Sequence, residues 1–397
     1  MIEWKQVKLS ELGEIVGGAT PSTSHEEYYN GDIPWLTPKD LAGYTSRYIK
    51  SGERNITKAG LDSCSAKIMP KNTVLFSSRA PIGYIAIAEN DICTNQGFKS
   101  IIPNESTVPL FLYYLLKFNK NRIESMGSGT TFKEVSGRTM GEVVVKIPVE
   151  KKIQEKIASI LDSLDSKIEL INKINDNLEQ QLRMVFAELF AEKITNVEAY
   201  DNLPLGQLVT SIDNRGKTPP LETTPTEYPV IDVRALSGHS RIVDYTNCTK
   251  YVSAETYSSW FRSGHPKPKD ILISTVGSLA EMKFFLGFKG CIAQNVVGFR
   301  AKNISAYYLY QYLSAIKSDL VAYNIGSVQP SIKVTHIIKH PIYVPAKEEL
   351  ETFDGLAEKA TNTIYNNALE SECLSNLRNT LLPKLMSGEL DISNVTL

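Results

Sequence analysis

Two long stretches of this chain carry apolar residues at steps of three and four, and the sequence around them alternates in short runs broken by turns. The first stretch follows Ile147-Pro148 and reaches about Glu192. Ile153, Ile157, Ile160, Leu164, Ile171, Ile174, Leu178 and Val185 line its stripe, which is a heptad seam. Leu161, Ile168, Leu182 and Leu189 widen it, as packing against more than one neighbour requires, while Lys167 and Gln181 interrupt it. The second stretch runs from about Ala346 to Leu385. Leu350, Phe353, Ala357, Ala360, Ile364 and Ala368 form its seam, which Leu374, Leu377 and Leu381 resume. Pro383 and then Gly388 mark its end. A helix of about 43 residues would span roughly 65 Å at 1.5 Å per residue. The two helices are expected to pair antiparallel, with Ile157, Ile160, Leu164, Ile171, Leu178, Leu350, Phe353, Ile364 and Leu377 at the packing surface.

The remainder reads differently. Val74–Phe76, Tyr84–Ala88, Ile271–Ser274 and Val296–Arg300 are β-rich runs between Gly, Pro, Asn and Asp turns. Leu110–Phe118 and Ala306–Ala315 are short helical patches rich in Tyr and Leu. These landmarks recur at a spacing of about 197 residues: Thr73–Ser78 matches Asp270–Thr275, and Ile147-Pro148 matches Val344-Pro345. The expected fold is α+β: two repeated domains with mixed β-sheet, each followed by a long helix. The helices form an antiparallel coiled coil with pseudo-two-fold symmetry. The expected boundaries are 1–149, 150–199 for the central helix, 200–345, and 346–397 for the terminal helix.

Composition adds little until it is divided. The chain is 42% hydrophobic and 22% charged, ordinary for a globular protein, with a net charge of −1. Residues 1–150 hold 17 basic and 16 acidic side chains, and residues 203–345 hold 15 and 9. The helical segments are acidic: 7 against 10 in 151–202, and 4 against 9 in 346–397. Any attraction for a polyanion therefore belongs to the globular parts. The five cysteines are scattered and never in C-x-x-C spacing, which suggests a reducing compartment and no structural zinc. No apolar run approaches a membrane span, and the N-terminus lacks a signal-peptide core, so a cytoplasmic location is expected.

Catalytic signatures fail on inspection. Gly216-Lys217-Thr218 has the last three residues of a phosphate-binding loop, but Ser211 stands where its first Gly is needed. The five histidines show no metal-ligand spacing. Asp270, Glu281 and Lys283 resemble the carboxylates and lysine of a Mg²⁺-dependent nuclease, an arrangement the first half does not repeat.

What recurs is a set of polar residues. Gly18-Ala19-Thr20-Pro21 corresponds to Gly216-Lys217-Thr218-Pro219, and Trp35–Leu41 to Val230–Leu236. Ser77-Ser78-Arg79 corresponds to Ser274-Thr275-Val276, and Gly129–Phe132 to Gly326–Gln329. Thr94–Lys99 corresponds to Gln294–Arg300 with a one-residue slip. Amides beside cations are the equipment for reading base edges, Asn and Gln for adenine, Arg and Lys for guanine and phosphate. The candidate DNA-binding residues are Thr20, Lys39, Ser77, Ser78, Arg79, Asn95, Gln96, Lys99, Thr130 and Thr131 in the first half. In the second they are Arg215, Lys217, Arg234, Ser274, Thr275, Gln294, Asn295, Ser327 and Gln329. Trp35 reads as core rather than as a stacking platform.

With these residues assembled, the chain resembles, over its whole length, the DNA specificity subunit of type I restriction–modification systems. The resemblance rests on Gly31–Leu41, Arg79-Ala80-Pro81-Ile82-Gly83, Thr94-Asn95-Gln96-Gly97-Phe98 and Leu381–Leu390, in that order in a duplicated chain. It implies two target-recognition domains that read the two halves of a bipartite, asymmetric double-stranded DNA site, with the helix pair as spacer. It implies partners: two methyltransferase subunits that methylate adenine, and translocating nuclease subunits. S-adenosylmethionine, ATP and Mg²⁺ would sit on those partners in a prokaryotic cytoplasm, and this chain would have no catalysis or cofactor of its own. The second half has Gly277-Ser278-Leu279 where the first has Ala80-Pro81-Ile82-Gly83, so the halves are expected to read different bases. A coiled-coil adaptor whose heads bind protein is the alternative, and the solitary nuclease a more distant one.

Overall fold

The computed structural model describes residues 2–129, 133–287 and 289–392. The chain divides into two units. One comprises the residues up to Leu170 and those from Ser371 on; the other spans Ile171–Glu370. Each long helix contributes to both.

In the first unit a five-stranded sheet runs in the order Gly13–Gly17, Lys99–Pro103, Val74–Phe76, Ile85–Ala88, Tyr48–Ile49. All its pairings are antiparallel except the last. The tight hairpin that joins Val74–Phe76 to Ile85–Ala88 puts Val74 opposite Ile87. A smaller sheet places Tyr29–Leu36 between Arg54–Ile56 and Cys93–Thr94, the latter parallel. Trp4–Lys8 pairs with Val144–Pro148 and closes the domain just before the first long helix begins.

The second unit repeats this plan with fewer strands. Its main sheet runs Val209–Ile212, Val296–Ala301, Asp270–Ser274, Met282–Phe285. A single parallel bridge from Ile242 to Phe284 takes the fifth position. Val230–Ile231 pairs parallel with Cys291–Ile292, and Asn202–Pro204 closes on Pro341–Tyr343. The strands named from sequence all form, and the helical patches form as Pro109–Ser125 and Ala306–Ala315. Proline at the start of the first presets a helical φ and gives up a donor that had no partner there. Ser305 caps the second, accepting from the backbone amides of Tyr307 and Tyr308.

The long helices span Lys151–Thr195 and Lys347–Ser387. In the second unit Asn175 meets Asn367, and Lys193 meets Glu349, so the partner number falls as the first rises and the pair is antiparallel. Pro383 lies inside the helix rather than ending it. The stop is Gly388, whose left-handed φ of +78° suits a residue without Cβ.

The seam is only partly the one drawn from heptads. In the first unit Ile153, Ile157, Ala158 and Leu161 are buried with Leu382, Leu385 and Met386; in the second Leu182, Phe186 and Phe190 are buried with Phe353, Ala357 and Ala360. Ile157, Ile171, Phe353 and Ile364 are buried as expected of packing positions, and Ile160, Leu164, Leu178 and Leu350 are half-buried. Leu377 is a correction: it is 46% exposed, and Ile174 on the same reading is 41% exposed. The helices pack on their globular domains as well as on each other. Phe186 meets Tyr308 at 5.6 Å and Phe353 at 5.4 Å, which turns the buried face away from a strict two-helix seam.

Candidate nucleic-acid interface

The turn after the central strand of each main sheet is built in the same way in both units. Ser77 Oγ donates to Pro81 O (2.8 Å) and accepts from the Tyr84 amide (2.8 Å). Ser274 Oγ does the same with Ser278 O (2.5 Å) and the Glu281 amide (2.9 Å). Both turns use two left-handed residues at matching places, Ala80 and Gly83 in one, Gly277 and Ala280 in the other. Glycine and alanine thus exchange places between copies, and in each turn one alanine holds a φ that favours glycine.

These contacts correct four of the candidates. Ser77, Ser78, Ser274 and Thr275 are fully buried, so none presents its hydroxyl at the surface, and those of Ser77 and Ser274 hold the turn. The amides of Ser78 and Thr275 reach Gly97 O (2.7 Å) and Asn295 O (2.8 Å). That equivalence also corrects the repeat. Gly97 matches Asn295, Gln96 matches Gln294 and Asn95 matches Ala293, so the two asparagines are not counterparts. Asn95 Oδ1 instead accepts from the Gly97 amide (2.8 Å), a local turn that occupies its side-chain oxygen.

Corrected, the alignment brings out a repeated pair. Thr20 Oγ1 donates to Gln96 Oε1 in the first unit, and Gln294 Nε2 donates to Thr218 Oγ1 (3.0 Å) in the second. Gly18 makes the approach possible: a Cβ there would stand 2.1 Å from Thr94 O. The Ala19 amide then bonds Thr94 O (3.0 Å), which delivers Thr20 beside Gln96. Trp35 is core, as expected, with its indole donating to Ala19 O (3.0 Å). Each glutamine is left with hydrogen-bonding capacity at the surface.

The charge beside this pair differs between copies. In the first unit Glu134 lies 3.3 Å from Lys99 and 3.6 Å from Arg79, two cations sharing one carboxylate. Strand register and the bridges Arg79–Glu134 and Val276–Ser331 set their counterparts as Val297, Val276 and Ser331. The charged triad has become two valines and a serine. Glu134 was missed from sequence because its role depends on this bridge.

The second unit carries its charge elsewhere. Arg215 is held by Asp213 (2.6 Å) and Arg234 by Asp232 (2.9 Å). Burial pushes both carboxyls up, but hydrogen bonds from the arginine side chains and backbone amides outweigh it, and both lie below the ordinary carboxylate range. Lys217, Ser327 and Gln329 are exposed. Lys39 is exposed and paired with Glu53 (2.9 Å). Thr130 and Thr131 lie outside the described residues.

The nuclease triplet does not converge. Asp270 is paired with Arg300 (2.7 Å), Glu281 with Lys317 (2.9 Å), and Lys283 donates to Gly238 O (2.7 Å) and Ser240 O. Among the described residues no group of His, Cys, Asp or Glu is arranged to hold a metal. Lys283 is nearly inaccessible, and burial pulls its amine down to about 8. A lysine whose folded pKa is depressed binds fewer protons folded than unfolded between about 8 and 10.4, so its cost is relieved as pH rises. Relative to Lys283→Met, the wild type is expected to gain on the order of 1 kcal/mol between pH 7 and pH 9. Urea melts at the two pH values read this difference, and a flat difference would refute it.

Comparison with known proteins agrees with the duplicated design. The type I restriction modification DNA specificity domain matches residues 1–180 and again 198–367. The chain is 32% identical over 99% of its length to the type I restriction enzyme MjaIX specificity subunit of Methanocaldococcus jannaschii, covering 95% of that protein. It is 30% identical over 46% of its length to the EcoR124I/EcoR124II specificity subunit of Escherichia coli, covering 45% of that protein. The S subunit of the type I system of M. genitalium shares the fold, with a TM-score of 0.60 at 16% identity over 99% of this chain and 97% of that one. The chain belongs to the family of type I restriction–modification DNA specificity subunits.

Proposed function

We propose that this chain is the sequence-reading, non-catalytic subunit of a type I restriction–modification enzyme, and that its two domains recognise the two halves of a bipartite, asymmetric DNA target. The observation that carries the reading is the repeated Thr–Gln pair, Thr20 with Gln96 and Thr218 with Gln294, set in equivalent loops whose neighbouring charges differ. Equivalent loops give each domain the same mode of approach. Different side chains at matched positions give each a different preference, since base edges are told apart by donor and acceptor pattern. The antiparallel helices serve as the spacer between half-sites and, with their acidic faces, as the seat of two methyltransferase subunits. Those subunits bring S-adenosylmethionine, and nuclease–translocase subunits bring ATP and Mg²⁺.

The test is methylome sequencing of a host with and without this gene, with its methyltransferase partner expressed in both. One adenine motif, two short half-sites around a fixed gap, is expected to vanish when the gene is removed. An unchanged methylome would overturn the proposal.

A further inference from the structure

Each unit buries one arginine where its globular domain meets a long helix. Arg47 is 5% exposed and Arg241 is 1% exposed. The Arg47 backbone amide donates to Glu169 Oε1 (3.1 Å), its Nη1 to Asp162 Oδ1 (2.6 Å) and its Nη2 to Ser166 Oγ (2.8 Å). These three acceptors lie at steps of four and three along one helix, hence on one face. In the second unit the Arg241 amide donates to Glu179 Oε1 (2.9 Å), and Nε and Nη2 fork onto the same carboxylate at 2.9 and 2.8 Å. Its Nη1 reaches Thr361 Oγ1 (2.8 Å) on the other long helix.

The two arginines are counterparts. The Arg47 carbonyl accepts from the Ile87 amide (2.7 Å), and the Arg241 carbonyl from the Phe284 amide (2.5 Å). Ile87 and Phe284 occupy the same place in their hairpins, opposite Val74 and Ile271. Both copies thus use one device: a residue beside the sheet edge grips a helix glutamate with its backbone amide and its guanidinium together. Arg47 and Arg241 stand 194 residues apart instead of about 197, which hid the correspondence in the sequence.

Stability alone is a poor reason for such a device. Removing an arginine and a carboxylate from water is costly, and well-packed apolar residues of similar volume often hold a fold equally well. What the guanidinium adds is direction, because a planar fork meeting a carboxylate with two bonds accepts one approach and rejects its neighbours.

We propose that Arg47 and Arg241 are positioning residues that fix the angle at which each recognition domain is carried on the helices, and so set how strictly the enzyme measures the gap between half-sites. This rests on the reading above. Arg241 touches no DNA; it acts through the orientation of the loop that bears Gln294. Asp165 gives the first unit a second anchor, accepting from Tyr114 (2.9 Å) and pairing with Arg378 (2.5 Å). Among the described residues the second unit's other ion pair from domain to helix, Lys269 with Glu358 (3.1 Å), is half exposed on both sides and so a weaker anchor than the buried Asp165, which makes the second unit the more sensitive one to test.

The experiment uses the assembled methyltransferase complex and duplexes carrying both half-sites, with the native gap and with gaps one base pair shorter and longer. The variant Arg241→Met with Glu179→Met removes the pair without leaving a lone buried charge. Its ratio of native-gap to off-gap methylation is expected to fall at least about tenfold, given that misplacements near 1 Å cost on the order of 100-fold. Its discrimination against base changes inside either half-site is expected to stay at the wild-type level. Arg241→Lys keeps the charge but loses the fork, and the same ratio is expected to fall with it, so the test survives misfolding of the double variant. A wild-type gap ratio in a folded variant, or equal loss of half-site discrimination, overturns the positioning role. A wild-type complex that methylates all gaps alike, or none, overturns the parent reading and this one with it.

Discussion

Phe190→Ala is expected to cost the second unit about 3–5 kcal/mol, the usual range for deleting a buried phenylalanine ring. Phe190 is 1% exposed and stands in an aromatic cluster, 5.1 Å from Tyr308, 5.1 Å from Phe186 and 6.1 Å from Phe353 between ring centres. Each pair adds to simple burial because edge and face contacts are complementary. These rings come from both long helices and from the Ala306–Ala315 helix, so one truncation loosens the domain and its support together. Few domains have stability to spare on that scale. The measurement is proteolysis of the full chain in a urea series, with fragments assigned by mass. Cleavage within Ile171–Glu370 is expected at much lower urea than in the wild type. A shift corresponding to less than about 1 kcal/mol would show that the ring is not essential to the cluster.

The same cluster marks how far the sequence could be read. The long helices were legible because periodicity over forty residues accumulates, and their termini fell within a few residues of expectation. The duplication was legible because turns and strand runs recur in order. Which helix face is buried was less so. Heptad counting assumes one partner, whereas Phe186 also serves Tyr308 in a globular domain, and Leu377 is left in solvent. The reading loops were legible as composition but not as geometry. Ser77 and Ser274 look like surface hydroxyls in sequence, and only the fold shows each bound twice to its own turn. Asn95 and Asn295 look like counterparts because they are identical. The strand register shows that the true match is between two glutamines, each tied to a threonine. Glu134 and the arginine clamps were invisible because their meaning lies in long-range contacts that no local pattern encodes.

The corrected register also makes the recognition role separable by half-site. Converting the first unit to the second at the matched positions, Arg79→Val, Lys99→Val and Glu134→Ser, is expected to relax base preference in one half-site and leave the other intact. Arg79 and Lys99 share a single carboxylate, so the pair retains positive charge and donors to offer to guanine or phosphate. A well-placed contact of that kind discriminates by about 1–3 kcal/mol, roughly 10- to 100-fold between right and wrong base. Replacing Glu134 as well avoids stranding a carboxylate among apolar neighbours, so a loss reports the missing cations and not an orphaned charge. The measurement is methylation of duplexes carrying single base changes across both half-sites, with the complex intact. Discrimination should fall by that factor at one or more positions of one half-site, while the positions of the other half-site keep their wild-type ratios. Uniform loss across both would mean that the triad supplies only general attraction for phosphate. Unchanged ratios throughout would remove Arg79 and Lys99 from base reading and leave the repeated Thr–Gln pairs as the place to look.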